Sequence, residues 1–291
     1  GGEGGATTTT TGGGGMTTTT GGGGSGGTGG AIDQSGELFT LEGLADIELT
    51  LPPLSVQLLG QDPYSYVHGD MTVHLANGKD LSLPDVGVRL KGVYGSFRTL
   101  DQKAAFLIKL DKYVSGQDLL GIEKLALNNM VQDPSMIHER IGYDLFRGMG
   151  IPAPRSAYAR VSVNGALYGL YATVEHTDNS EMLKRYFGED KGSLYEGSYG
   201  TDLYGGLIGS TDQDNGVDVG FTDLQELVDA LDTMNDPATF LTDAGQVLDM
   251  AEYTDFAATE LFMGHWDGYA SYQNNYYIYR MADGRWTFLP W

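Results

Sequence analysis

Asp267 sits in the short loop His265-Trp266-Asp267-Gly268, and the paired amides Asn274 and Asn275 follow it in a tyrosine-rich stretch. One carboxylate with two amides close behind is a set that accepts a proton from an attacking hydroxyl and holds a metal ion or a phosphate oxygen. Phosphoryl transfer asks little more of a protein, since it rests on positioning and charge neutralisation. A second set lies upstream in VGVRLKGVYGSFRTLDQKAAFLIKLDK, residues 86–112. There Gly87, Gly92 and Gly95 allow close backbone approach to phosphate, while Arg89, Lys91, Ser96 and Lys109 supply cations and a hydroxyl. Lys109 stands in the apolar run FLIKL, so it either snorkels at a strand edge or is held inside by a carboxylate and phosphates.

Local signals define the elements that must carry these groups. Asp249 with Glu252 reads as a capping box, and Tyr253, Phe256, Ala257, Glu260, Leu261 and Met263 give a mostly apolar helical face that stops at Gly264. That helix delivers the Asp267 loop. Residues 276–280 and 285–289 then read as strands joined by a turn at Asp283-Gly284. From residue 37 to 90 the pattern is β, with Met71, Val73 and Leu75 alternating before a turn at Asn77-Gly78. Asp133 is expected to cap a helix with Pro134 at its first position, Met136, Ile137, Ile141, Leu145, Phe146 and Met149 facing the core, and Gly150 ending it. Two strands meet at Asn164-Gly165. Helices are expected from Glu181, from Thr222 with Gln225 as its cap, and from Asp236-Pro237. Trp266 is expected to pack the loop.

Asp and Glu number 39 against 17 Lys and Arg, a formal charge of −22. Such a field repels nucleic acid and anionic membrane surfaces, and favours basic protein partners. No apolar run approaches the ~18 residues of a membrane span. There is no cysteine, so neither a disulfide nor a thiol nucleophile is available. The five histidines, His68, His74, His138, His176 and His265, show no metal-ligand spacing, and HExxH, GxSxG and Walker patterns are absent. Asp212, Asp214, Asp218 and Asp223 fall at positions 1, 3, 7 and 12 of a calcium-type loop, which makes Ca2+ a candidate there, although Val217 stands where glycine is needed and a solvated acidic loop is the alternative. Residues 1–30, dominated by glycine and threonine, bury too little apolar surface to order themselves and read as a flexible tether ahead of a domain over 31–291.

WDGY followed by NNYYIY and WTFLPW, with the segment over residues 125–176, resembles the CotH (spore-coat protein H) family of secreted atypical protein kinases, across roughly residues 37–291. The resemblance implies an α+β, two-lobed kinase-like fold, with a β-rich N-lobe over about 37–175 and an α-rich C-lobe over about 176–291. It implies ATP and Mg2+ as cofactors, and transfer of the γ-phosphoryl group to Ser or Thr of an extracellular or surface protein, in a bacterial setting; the Gly/Thr tether itself is of a kind that joins a surface anchor to an extracellular domain, with a plain tail without an anchor as the alternative. Asp267 would be the catalytic carboxylate and Asn274 or Asn275 a metal ligand. Glu139 would pair with Lys109, with an ordinary solvated helical charge as the alternative, and Glu175 would lie beside the adenine at the hinge or be a plain strand-end charge. Relatives carry Arg-x-Arg-Gly where this chain has Arg89-Leu90-Lys91-Gly92, and a metal-ligating aspartate after the final tryptophan, where this sequence ends at Trp291. A relative that transfers AMP, or a catalytically silent structural or surface-assembly protein of the same fold, are the alternatives.

Overall fold

The computed structural model describes residues 34–197, 199–203, 208 and 211–291. The expected tether therefore lies outside the described residues. In chain order come β1 (Ala45–Thr50), α1 (Pro53–Gln61), β2 (Val67–His74), β3 (Asp80–Lys91), β4 (Ala105–Lys109), β5 (Lys124–Asn128), α2 (His138–Gly148), β6 (Ser156–Val163) and β7 (Ala166–Glu175). There follow α3 (Ser180–Phe187), β8 (Leu194–Gly197), β9 (Asp212–Asn215), α4 (Thr222–Asp232), α5 (Phe240–Ala244), α6 (Met250–Met263), α7 (Tyr269–Tyr272), β10 (Tyr276–Arg280) and β11 (Trp286–Pro290).

The first seven strands close into a barrel in the order β1-β2-β3-β4-β5-β7-β6. Closure comes from the parallel pairing of β1 with β6, from Ala45 opposite Ala159 to Leu49 opposite Val163. Strand alternation divides the side chains. Ile47, Leu49, Met71, Val73, Val88, Leu90, Phe106, Ile108, Leu125 and Leu127 fill the interior. Residues of opposite parity face outward, and among them Leu107, Ala126, Ala172 and Val174 form a small apolar cluster of their own. Arg89, Lys91 and Asn128 share that outward parity, which puts them beside this cluster rather than in the barrel core.

The chain after residue 176 builds a four-stranded antiparallel sheet, β11-β10-β8-β9. One face carries Tyr195, Tyr276, Ile278 and Phe288 against α4 and α6. The other places Leu194, Tyr277, Tyr279 and Leu289 against Met182 and Leu183 of α3. The architecture is thus α+β.

Several expectations hold in detail. Asp249 caps α6 by accepting from the Glu252 N–H at 3.2 Å, and Gly264 ends that helix in the left-handed conformation at φ 68°. Asn164 and Gly165, at φ 49° and 77°, make the tight turn between β6 and β7. Others are corrected. The β reading of residues 37–90 missed α1, which starts with Pro53 at a first helical position, where proline needs no partner for a missing N–H. Asp133 does not begin α2: its carboxylate accepts from the N–H groups of Ser135 and His138, at 3.0 and 2.8 Å, in a turn that contains Met136 at φ 59°. The helix starts only at His138. Of its expected core residues Phe146 is buried, whereas Ile141 is exposed where α2 borders an open cleft, and Met136, Ile137 and Met149 are exposed just outside the helix ends. The Asp236 turn likewise precedes a helix that begins at Phe240.

Candidate active site

A cleft of about 990 Å³ opens between the outward face of the barrel, α2, and the strand and helix ends near Glu196, Met263, Tyr277 and Trp291. Its apolar wall is Leu107, Ala126 and Val174 from the barrel, with Ile141 and Leu145 from α2.

The polar centre of the barrel side is a relay of three residues. Lys91, the last residue of β3, donates from Nζ to Asn128 Oδ1 at 2.7 Å, and the Asn128 amide donates to Glu139 Oε1 on α2. Burial pushes the Lys91 amine down and the Glu139 carboxyl up, and each partly restores the other's charge. The expected pairing of Lys109 with Glu139 is therefore corrected. Lys91 lies opposite Ala105 at the start of β4, and Lys109 is four residues farther along that strand, roughly 13 Å away at 3.3 Å per residue. Lys109 instead reaches Asp111 at 3.8 Å and is 40% exposed, the snorkelling outcome. Asn128 was not foreseen; its parity with Ala126 on β5 was the available signal. Arg89 lines the same cleft, with its guanidinium 5.6 Å from the Tyr66 ring.

Beyond Lys91 the chain turns through Gly92 and Gly95, at φ 97° and 78°. Ser96 is drawn into this turn: its hydroxyl accepts from the Val93 N–H at 3.2 Å. Asn129 and Gln132 tie the loop down by donating to the carbonyls of Ser96 and Tyr94, at 3.0 and 3.3 Å. Gly95 lets Gln132 approach, since a Cβ there would meet its amide nitrogen at 2.5 Å.

On the opposite side Asp267, Asn274 and Asn275 do come together. The Asn274 amide donates to Asp267 Oδ1 at 3.1 Å. Asn275 donates to the Asp267 backbone carbonyl at 2.7 Å and to Oδ2 at 3.2 Å. A path links the two sides: the Trp291 N–H donates to the Asn275 carbonyl at 3.2 Å, and the Lys91 amine lies 5.3 Å from the Trp291 ring. Glu260, on the inward side of α6, was read only as part of an apolar face. Buried there, it accepts from the N–H groups of Tyr269 and Ala270, at 3.1 and 2.8 Å, and so fixes the loop to the helix. His265 lies 3.4 Å from the same carboxylate. Gly268 is required by this packing, because a Cβ would collide with Glu260 and come within 2.6 Å of His265 Nδ1. Trp266 does not pack the loop. It is 70% exposed at the mouth of the cleft, edge-on to Tyr272.

Glu175 occupies the cleft floor but its carboxylate is taken. Fully buried, it binds Arg155 at 2.8 Å and Arg185 at 2.5 Å. Glu175 thus lines the cleft, as a position beside a ligand requires, while its carboxylate is the centre of an ion-pair group with the two arginines. The acidic run at 212–223 does not wrap a calcium-type loop. Asp212 and Asp214 lie in the extended strand β9, and Asp223 is buried on α4, where it accepts from the Tyr195 hydroxyl at 2.6 Å.

The cleft thus sets a desolvated lysine–amide–carboxylate relay on one wall and an amide-braced aspartate on the other, in an α+β protein. The sequence model described as CotH kinase protein matches residues 88–291, and the chain belongs to this family. It is 27% identical over 192 residues to invasin CotH2 of Rhizopus delemar, covering 60% of this chain and 32% of that protein. It is also 23% identical over 184 residues to the inner spore coat protein H of Bacillus subtilis, covering 59% and 49%. The chain thus matches a third to a half of the length of these relatives.

Proposed function

We propose that this chain is the catalytic domain of a two-lobed atypical protein kinase, which transfers the γ-phosphoryl group of ATP to a Ser or Thr hydroxyl of a surface or extracellular protein. The observation that carries this reading is the Lys91–Asn128–Glu139 relay, joined through Trp291 to Asn275 and Asp267. In this reading the barrel is the upper lobe, the Gly92–Gly95 turn lies over the phosphates, and the apolar wall of Leu107, Ala126 and Val174 receives the base. Lys91, tethered to Asn128, presents its charge to the phosphate oxygens. Arg89 adds a second cation, and Lys109 is left to the barrel surface.

Asp267 accepts the proton of the attacking hydroxyl as its oxygen bonds to the γ-phosphorus and the bond to the β-phosphate oxygen breaks, releasing ADP. Asn274 and Asn275 turn their N–H groups to Asp267. Their amide oxygens accept no hydrogen bond among the described residues, and together with the carboxylate they form a set of hard oxygen donors that fits Mg2+. Mg2+, when bound, supplies charge neutralisation on the phosphates. The net charge of −22 favours basic acceptors, and the invasin and spore-coat names of the relatives support a surface setting.

The test is incubation with Mg2+ and ATP labelled at the γ-phosphate, followed by intact-mass measurement of the chain and of a basic protein acceptor. A phosphate adduct that disappears in Asp267→Ala supports the proposal. An adenylate adduct would replace phosphoryl with AMP transfer, and nucleotide binding without any adduct would leave a silent binding domain.

A further inference from the structure

His176, Asp178 and Asp214 bring one imidazole nitrogen and two carboxylate oxygens to within 4.8 Å of one another. Two donors on one ion lie no farther apart than twice the metal–ligand distance, roughly 4–5 Å for divalent ions. One ion therefore reaches all three with small side-chain adjustments. The three residues come from different parts of the fold: His176 and Asp178 lie in the turn after β7, while Asp214 is on the edge strand β9. Their distance in sequence is why spacing gave no metal signal.

The cluster has an asymmetry that points to a ligand. Asp178 is satisfied: it pairs with the Lys124 amine on β5 and with His176 Nδ1 at 2.8 Å. Asp214 is half-buried and makes no hydrogen bond or ion pair among the described residues. His176 lines the cleft, so an ion has a route in.

We propose that His176, Asp178 and Asp214 form a binding site for a divalent transition-metal ion, which clamps the turn after β7 to strand β9. One imidazole with two carboxylates suits Mn2+ or Zn2+ better than the all-oxygen preferences of Ca2+ or Mg2+. Lys124 acts as the competitor that holds Asp178 when no ion is bound. The site joins the turn after β7 to the C-terminal sheet through residues other than those that hold Asp267, and its occupancy requires no nucleotide.

The experiment is titration with Mn2+ in the absence of nucleotide, following free Mn2+ by electron paramagnetic resonance and unfolding by calorimetry, with Zn2+ as competitor. One Mn2+ per chain should bind, raise the unfolding temperature and be displaced by Zn2+. Asp214→Asn, nearly isosteric, should weaken binding at least tenfold, and Lys124→Met should tighten it severalfold, while Asp267→Asn leaves it unchanged. Paramagnetic broadening of one histidine resonance, absent in His176→Gln, reports the site without relying on stability. Absence of saturable binding overturns the proposal. So does binding that survives Asp214→Asn but is lost in Asp267→Asn, which would place the ion with the nucleotide machinery.

Discussion

Asn275 grips Asp267 twice, at its backbone carbonyl and at its carboxylate, so the side chain that would accept a proton is held by the residue just before β10. Two effects follow for turnover. Asp267→Ala should lower kcat by about 10²- to 10⁴-fold, the range for a general base, with little change in nucleotide affinity. Asn275→Ala should lower kcat less, with a larger rise in the Mg2+ requirement. A radiometric transfer assay run across Mg2+ concentrations separates the two.

Lys91 and Lys109 offer a matched pair of substitutions. Removing a charge-assisted hydrogen bond to phosphate costs about 1.5–3 kcal/mol, so Lys91→Met should weaken ATP binding by about ten- to a hundredfold. Lys109→Met should leave it unchanged. Isothermal calorimetry with a non-hydrolysable ATP analogue gives both numbers, and the reverse order would return the ligand lysine to β4.

Glu175 stands between Arg155 and Arg185 with none of its surface exposed. Glu175→Ala removes a fully buried anion that both Arg155 and Arg185 bind, at a cost of about 3–5 kcal/mol. Urea unfolding should show this as a lower midpoint at unchanged slope. Nucleotide affinity of the folded fraction should stay near that of the parent chain, since the carboxylate faces the arginines.

Glu252 supplies a pH signature. Burial, opposed by the Thr287 hydroxyl and the Phe288 N–H, raises its pKa from 4.5 to about 7, and its Oε1 is buried without a partner. In the unfolded chain the group ionises near 4.5, so the folded state holds a proton that the unfolded state has lost between pH 4.5 and 7. Stability from this residue therefore falls as pH rises through that window, by about 3 kcal/mol in total. Glu252→Gln should match the parent below the window and exceed it above pH 7, as read from unfolding midpoints measured on both proteins across the range.

Gly268 tests the architecture behind Asp267. Gly268→Ala forces Glu260 or His265 to move, which displaces the loop while the sheet and barrel remain. Turnover should fall at least tenfold with a much smaller effect on the unfolding midpoint. A variant with parental turnover would show that the loop tolerates the shift.

The parts of this molecule legible in the sequence were those specified by neighbours in the chain. The Asp249 cap, the Gly264 stop, the Asn164-Gly165 turn and the β10–β11 hairpin each follow from side-chain chemistry within a few residues. Asp267 with its two amides was legible for the same reason. What was not legible depends on parity and position in a closed barrel. Lys91 and Lys109 are both strand lysines with glycine or apolar neighbours, and only the β3–β4 register tells which one meets α2. Glu175 gave no hint of its partners, because Arg155 and Arg185 reach it from the start of β6 and from α3. Glu260 looked like any helical glutamate until the loop that it holds folded back over it.

The barrel closes through β1 and β6, which leaves it without a free strand edge. The C-terminal sheet has two outer strands among the described residues, and β11 is partly shielded where Trp286 exchanges hydrogen bonds with Val247 and Asp249. Strand-to-strand addition of another chain is thereby steered to β9, whose sequence is Asp-Gln-Asp-Asn. A second copy pairing there would bring two Asp-rich strands side by side, so the charge on this edge disfavours self-assembly into extended sheets and favours a strand that brings cations to it.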